Sequence, residues 1–317
     1  MKHKVPKPFL DAVSTHRYRL ERVLAGGAAK KMRGLYDEAQ AHLVSKLAKS
    51  IQSGRGDTFT AYQQRIVTAQ LREGQALIAK KLAGDMEPLS RVAQEKALKG
   101  LVSDVKHLHK ALTGAPITLP IEEAATFAGV ISRRSSSILR ANTKSFNNYG
   151  VNIVAKVEKE MALSLLKGES PHQAIDAIAA AIDGEWWQGE RIVRTEMAYA
   201  YNATHRDGIV EASSEIPDLY MRWEEHCSAT GEPLDDRVAV DSIAMHGQVT
   251  KAGGVFTMPS DAPFPDKKGN TDVPKSLIGK TWMFPPNRPN DRAVVQAWMP
   301  DWGVPGWKYV GGKRVWL

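Results

Sequence analysis

The sequence predicts a mainly α-helical chain over residues 1–215, followed by a small, loop-rich α+β module over 216–317. Three observations carry that prediction. The first 215 residues are rich in Ala, Leu, Lys, Gln and Glu, which favour helix. All eight Trp lie after residue 185, and 11 of the 17 Pro lie at or beyond Pro217. Apolar residues recur at helical spacing to about residue 212 and fall into short runs after it. The shift near residue 216 is the clearest boundary, and the stretch between Pro116 and Pro120 marks another. Three consecutive regions follow: a basic helical domain (1–115), a helical region (121–215) and the α+β module (216–317).

Residues 9–50 are expected to form one or two helices. Leu35, Ala39, Leu43 and Leu47 make an i, i+4 stripe, and Gly26-Gly27 is placed to break or bend the run. Residues 52–57 read as a loop, with Asp57 or Thr58 capping a helix over 58–83. Pro88 predicts the start of another helix reaching about Leu112. After a linker over 113–120, helices are expected over 121–149 and 151–167. Ser170-Pro171 predicts an N-cap and a first helical residue. The helix it opens, 171–182, carries Ala174, Ile175, Ile178 and Ala179 on one face. Asp183-Gly184 is a turn, and 185–212 reads as a long helix. Beyond it, 219–223, 253–258 and 293–298 have strand character, 237–245 suits a short helix, and 259–274 is a polar loop. Gly311-Gly312-Lys313 suits a hairpin turn.

The 317 residues carry a formal net charge of +8, unevenly spread. Residues 1–150 balance at +13, residues 151–250 at −10 and residues 251–317 at +5. A basic first half suits a polyanion, most commonly nucleic acid; solvated helix faces would give the same count. The acidic middle suits a basic partner or the chain's own basic half. The single cysteine, Cys227, excludes an intramolecular disulfide and a cysteine-based zinc cluster. The N-terminus lacks the apolar core of a signal peptide, and no run of about 18 apolar residues occurs. The expectation is a soluble, basic, intracellular or intravirion protein that spans no membrane.

The most informative segment is Arg191-Ile-Val-Arg-Thr-Glu-Met-Ala-Tyr-Ala-Tyr-Asn202. On a helix, Arg191, Arg194, Thr195, Ala198 and Asn202 share one side, and Glu196, Tyr199 and Ala203 another. Glu190 and Arg194 can pair at i, i+4. The polar stripe is expected to form a buried hydrogen-bond network against the following module, which is tolerated only when satisfied.

Arg194-Thr195-Glu196 with Ala200 and Asn202 resembles the signature of the phage Mu F-like minor head proteins, the head morphogenesis family. The resemblance continues through Arg222-Trp223, Asp235-Asp-Arg-Val238 and His246-Gly247-Gln248. It extends to Val255-Phe-Thr-Met-Pro259 and Pro285-Pro-Asn-Arg-Pro-Asn-Asp-Arg292, covering about residues 185–300. Many family members carry cysteines where this chain has Ala239, Asp241, Asp291 and Ala293, so a metal site does not carry over. Asp235, Arg237, Asn290 and Arg292 are instead placed to clamp the module by polar pairing.

The resemblance implies a minor capsid protein of a tailed phage or prophage. Such a protein is inside the head near the portal, and in the host cytoplasm during assembly. It assists head assembly and DNA packaging or delivery. The implied partners are the portal protein, capsid or scaffold proteins, and double-stranded DNA bound without sequence preference through the basic half. Two other classes stay open: an enzyme of toxin or transferase type carried in the head, and a purely structural portal connector that does not touch DNA. For the enzyme class, the residues offer little. An ADP-ribosyltransferase needs a Ser-Thr-Ser strand and a Glu-x-Glu pair, which Ser135-Ser-Ser137 and Glu224-Glu225 do not supply. His107, His109, His205, His226 and His246 lack zinc-hydrolase spacing. Glu225-His226-Cys227 would point neighbouring side chains to opposite faces of a strand. No catalytic, cofactor-binding or metal-binding residue is therefore expected. Trp298, Trp302, Trp307 and Trp316 are expected to pack within the module or anchor it to a partner.

Overall fold

The computed structural model describes residues 5–25, 27–53, 58–184, 186–228, 232–236, 238–286, 291–310 and 313–317. Long helices fill the first two-thirds of the chain, as the composition predicts: α1 (Lys7–Ala25), α2 (Ala28–Gln52), α3 (Ala61–Thr113), α4 (Ala124–Lys167), α5 (Pro171–Asp183) and α6 (Trp186–Ala212). The remainder is β1 (Tyr220–Glu224), α7 (Val240–Met245), β2 (Val249–Lys251), β3 (Phe256–Thr257), β4 (Thr281–Trp282), β5 (Val294–Trp298), β6 (Trp307–Val310) and β7 (Lys313–Trp316). Gly27, at φ 85°, takes the left-handed backbone that opens α2. Among the described residues, no helix is long and apolar enough to cross a membrane.

Three local expectations are corrected. Asp57 lies outside the described residues, and the cap of α3 is Thr60 rather than Thr58. The Thr60 hydroxyl accepts from the Gln63 amide at 3.3 Å, and the Gln63 side chain accepts from the Thr60 amide at 2.8 Å. Pro88 does not start a helix; α3 runs through it. An interior proline costs about 3 kcal/mol, but Leu82, Ala83, Met86, Ala93 and Ala97 are buried on both sides of it and hold the helix together. Helices 121–149 and 151–167 are one helix, α4. Gly150 is a contact point: a Cβ there would stand 3.4 Å from the Gln75 carbonyl oxygen. The Ser170 cap forms as expected, with reciprocal bonds to Gln173.

β1 is the centre of a three-stranded antiparallel sheet in the order β2-β1-β5, with Trp223 opposite Val295 and Arg222 between Val249 and Gln296. β3 pairs with β4, and β6 with β7. The expected strand 253–258 shortens to β3, and β2, β4, β6 and β7 are too short to stand out in the sequence. Gly311 and Gly312 of the expected hairpin turn lie outside the described residues, between paired Val310 and Lys313.

The compact units are discontinuous, whereas composition divides the chain consecutively. Unit 1 comprises residues 1–24, 90–135 and 197–317; unit 2 comprises 25–89 and 136–196. The core of unit 1 joins Phe9, Leu98, Leu101 and Ile121 to Trp223, Val295 and Trp298. In unit 2, the Tyr36 hydroxyl donates to the Ile182 carbonyl at 3.2 Å, and the Gln40 and Gln75 amides bond each other at 3.2 and 3.1 Å. This arrangement redistributes the charge. Unit 1 holds 26 Lys and Arg against 21 Asp and Glu, and unit 2 holds 17 against 14. Bases from the first 150 residues pair with acids from 151–250: Arg33–Asp183 at 2.9 Å, Arg72–Glu158 at 2.6 Å, Arg133–Glu211 at 2.7 Å and Arg134–Asp207 at 2.5 Å.

Candidate functional site

The motif helix α6 divides between the two units. In its unit 2 half, Trp187, Arg191 and Arg194 are exposed while Val193 and Glu196 are buried. Arg194 pairs with Glu190 at 2.9 Å, the i, i+4 contact expected from spacing. Arg191 is exposed and lies over the Trp187 ring, 5.7 Å from its centre. The Thr195 hydroxyl donates to the Arg191 carbonyl at 2.7 Å, a bond within the helix. Arg191 and Arg194 are exposed and Thr195 bonds within its own helix, so these three do not form the buried network expected of the stripe. Glu196 is buried and accepts from the Ser145 hydroxyl at 2.6 Å. Burial raises its carboxyl above the ordinary range, and the Ser145 bond opposes the shift.

Of the polar stripe, Asn202 in the unit 1 half makes the expected buried contact with the following module. Its amide N–H donates to the Ala293 carbonyl and its oxygen accepts from the Val295 amide, both at 3.2 Å. An edge strand offers backbone groups in need of partners, and β5 is an edge of its sheet. One fully buried side-chain amide thus acts as a short substitute strand. Gln248 repeats the device on β3, donating to the Thr257 carbonyl at 2.8 Å and accepting from the Thr257 amide at 2.7 Å. Trp223, fully buried, donates to Glu225 at 3.0 Å and meets Phe256 edge-on. Arg292 donates to Asp235 at 2.7 Å. Arg237 and Asn290 lie outside the described residues. Trp298, Trp302 and Trp307 pack inside the module, while Trp316 is 65% exposed.

A second constellation, absent from the sequence reading, lies under β1. Strand alternation puts Met221 and Trp223 on one face and Arg222 and Glu224 on the other, yet all four are buried. Arg222 and Glu224 form an ion pair, and Arg17 of α1 approaches Glu224 at 3.9 Å. Arg222 also lies over the Phe9 ring, 5.4 Å from its centre. His246 accepts from the Glu225 amide at 3.2 Å through Nδ1. Gly247 follows it at φ 78°, close enough that a Cβ would meet an Arg222 nitrogen at 3.2 Å. Phe9, Arg17, Arg222, Glu224 and His246 line a cavity of about 180 Å³, whose remaining wall includes Val13 and Leu234. Nε and Nη2 of Arg17 and Nε of Arg222 are buried without a hydrogen-bond partner. Each such orphan donor costs about 1–3 kcal/mol. Burial lowers the Arg222 guanidinium to about 9, with Arg17 adding to the effect, and lowers Arg17 to about 10. The signal in the sequence was an Arg and a Glu flanking a Trp inside an apolar strand.

A third cluster packs α1, α3 and α6 of unit 1. His16 and His205 meet edge-on with ring centres 4.1 Å apart, beside Tyr201 and Asp104, and Arg19 donates to Asp104 at 2.6 Å. Burial lowers both histidines below the ordinary 6.5. Burial likewise pushes the Cys227 thiol up, which disfavours a thiolate nucleophile. Among the described residues, no three His, Cys, Asp or Glu side chains form a metal-binding group. No family model, curated protein or solved structure matches the chain.

Proposed function

We propose that this chain is a non-enzymatic minor head protein of a tailed phage or prophage, located inside the capsid near the portal. It assists head assembly and DNA packaging or delivery, and it is made in the host cytoplasm. The observation that carries the reading is the Asn202 clamp. The residues through which the sequence resembles the Mu F-like family do not merely recur in order. The asparagine of the helical motif bonds the strand that follows the closing motif, Trp223 fills the centre of the same sheet, and Asp235 and Arg292 pair across 57 residues. A set of residues that builds one joint is what an assembly module requires.

DNA contact is sequence-independent and made by exposed Lys and Arg of both units, since the bases of residues 1–150 do not form a separate body. The test uses the whole chain. It is expected to co-purify with the portal from assembling heads of the encoding phage, and to shift a random-sequence duplex at low salt with steep loss as salt rises. Absence from both precursor and mature heads overturns the assembly reading. Portal binding without any duplex shift leaves the structural connector and removes DNA as a partner.

A further inference from the structure

We propose that the open groove between α2 and α3 of unit 2 is a docking face for a second copy of this chain. The inference does not rest on the phage-head reading. The two helices run antiparallel along the groove: Gln40 bonds Gln75, Ser50 bonds Gln70, and a Cβ at Gly74 would meet Leu43. Leu43 and Ile78 give the groove an apolar floor. Its rims are two rows at i, i+4 spacing: Glu38, His42 and Lys46 on α2, and Glu73, Leu77 and Lys81 on α3. All six are exposed, Leu77 at 62%. The antiparallel register puts Glu38 level with Lys81, and Lys46 level with Glu73, so charge alternates around the corners of the groove. Among the described residues, none of these four charges makes an ion pair.

That alternation makes the face self-complementary. A two-fold axis crossing the helices at the level of His42 and Leu77 lays each helix antiparallel on its own copy. Every Glu then meets a Lys: Glu38 meets the second copy's Lys46, and Glu73 meets its Lys81. His42 and Leu77 each meet themselves on the axis, and Leu77 covers apolar surface that a single copy leaves in water. A face with one sign of charge on each helix would repel its copy under the same operation. Two turns of two helices form a small face, so the dimer belongs to the weak, reversible class that buries under about 1,200 Å². The exposed ion pairs choose the register more than they add affinity.

The experiment uses the full chain. Sedimentation equilibrium over about 5–500 µM is expected to show monomer and dimer in exchange. Leu77→Lys should weaken the dimer at least about tenfold, since it acts in both copies. Glu38→Lys should weaken it about fivefold, and adding Lys46→Glu should restore it, because the exchanged charges again face opposite signs. Under mild oxidation by diamide, Leu77→Cys should cross-link between copies, two thiols giving one disulfide. Val151→Cys, at a 66% exposed position on α4, should not. All the substituted positions are exposed, and far-UV circular dichroism checks each fold. A chain that is monomeric throughout the range overturns the proposal and leaves the groove to a different protein. Association that survives Leu77→Lys, failure of the charge exchange to restore the dimer, or equal cross-linking at residues 77 and 151 also overturns it.

Discussion

Unit 2 and unit 1 treat buried polar groups differently. In unit 2, the Gln40–Gln75 pair, the Tyr36–Ile182 bond and the Ser145–Glu196 bond satisfy what is buried. Among its described residues only Asp85 and Asn142 keep buried side-chain atoms without a partner. In unit 1, the orphan atoms include those of His16, Arg17, Tyr201, His205, Arg222 and Gln296. Unsatisfied buried groups weaken a fold, so unit 1 carries a cost that unit 2 largely avoids. Unit 2 is a helical assembly with few such debts; unit 1 combines the motif clamp, the ionic cavity and the histidine cluster.

The largest expected difference between the units is in their response to acid. His16, His205 and His246 all titrate below the ordinary 6.5 in the folded chain, chiefly through burial. The unfolded chain then binds more protons than the native one once pH falls below about 6.5, and unit 1 loses stability towards its lowered values. Glu196 of unit 2 has the opposite sign: its raised carboxyl makes the fold gain stability as pH falls through that raised value. Six of the eight Trp belong to unit 1, so tryptophan emission against pH should report loss of unit 1 before the far-UV helix signal falls. Coincident transitions would remove the distinction.

A smaller effect is expected at the clamp. Asn202→Leu leaves the Ala293 carbonyl and the Val295 amide buried without partners and should cost about 3 kcal/mol in urea unfolding. A loss below about 1 kcal/mol would mean that β5 does not depend on the substitute strand. The smallest effect separates two helical glycines. A Cβ at Gly208 would stand 2.5 Å from Leu101, and 2.9 Å from both Ile121 and Leu98, all fully buried. Gly208→Ala should destabilise unit 1 by about 1–2 kcal/mol through overpacking. At Gly74 the three nearest atoms to such a Cβ all belong to the Leu43 side chain, the closest at 2.5 Å, bordering an open groove of about 550 Å³. Leu43 can turn aside there, and the gain from replacing a helical glycine, about 0.5–1 kcal/mol, should leave Gly74→Ala neutral or stabilising. Equal losses at the two positions would show that unit 2 is packed as rigidly as unit 1.

The helical first two-thirds, the Ser170 cap, the Glu190–Arg194 pair and the strand around Trp223 are legible in the residues alone. Each rests on contacts within a few residues, or on a composition that permits little else. That helices continue through Pro88 and Gly150 depends on packing, since the burial and the close helix approach that keep them there come from distant residues. The same holds for the charge map, where acids from 151–250 neutralise bases that look unopposed along the chain. The motif stripe likewise divided by environment rather than by spacing: Asn202 is buried against β5 while Arg191 and Arg194, on the same periodic line, face water. Arg17 reaches Glu224 across 207 residues, and helical or strand periodicity carries no information about partners that far away.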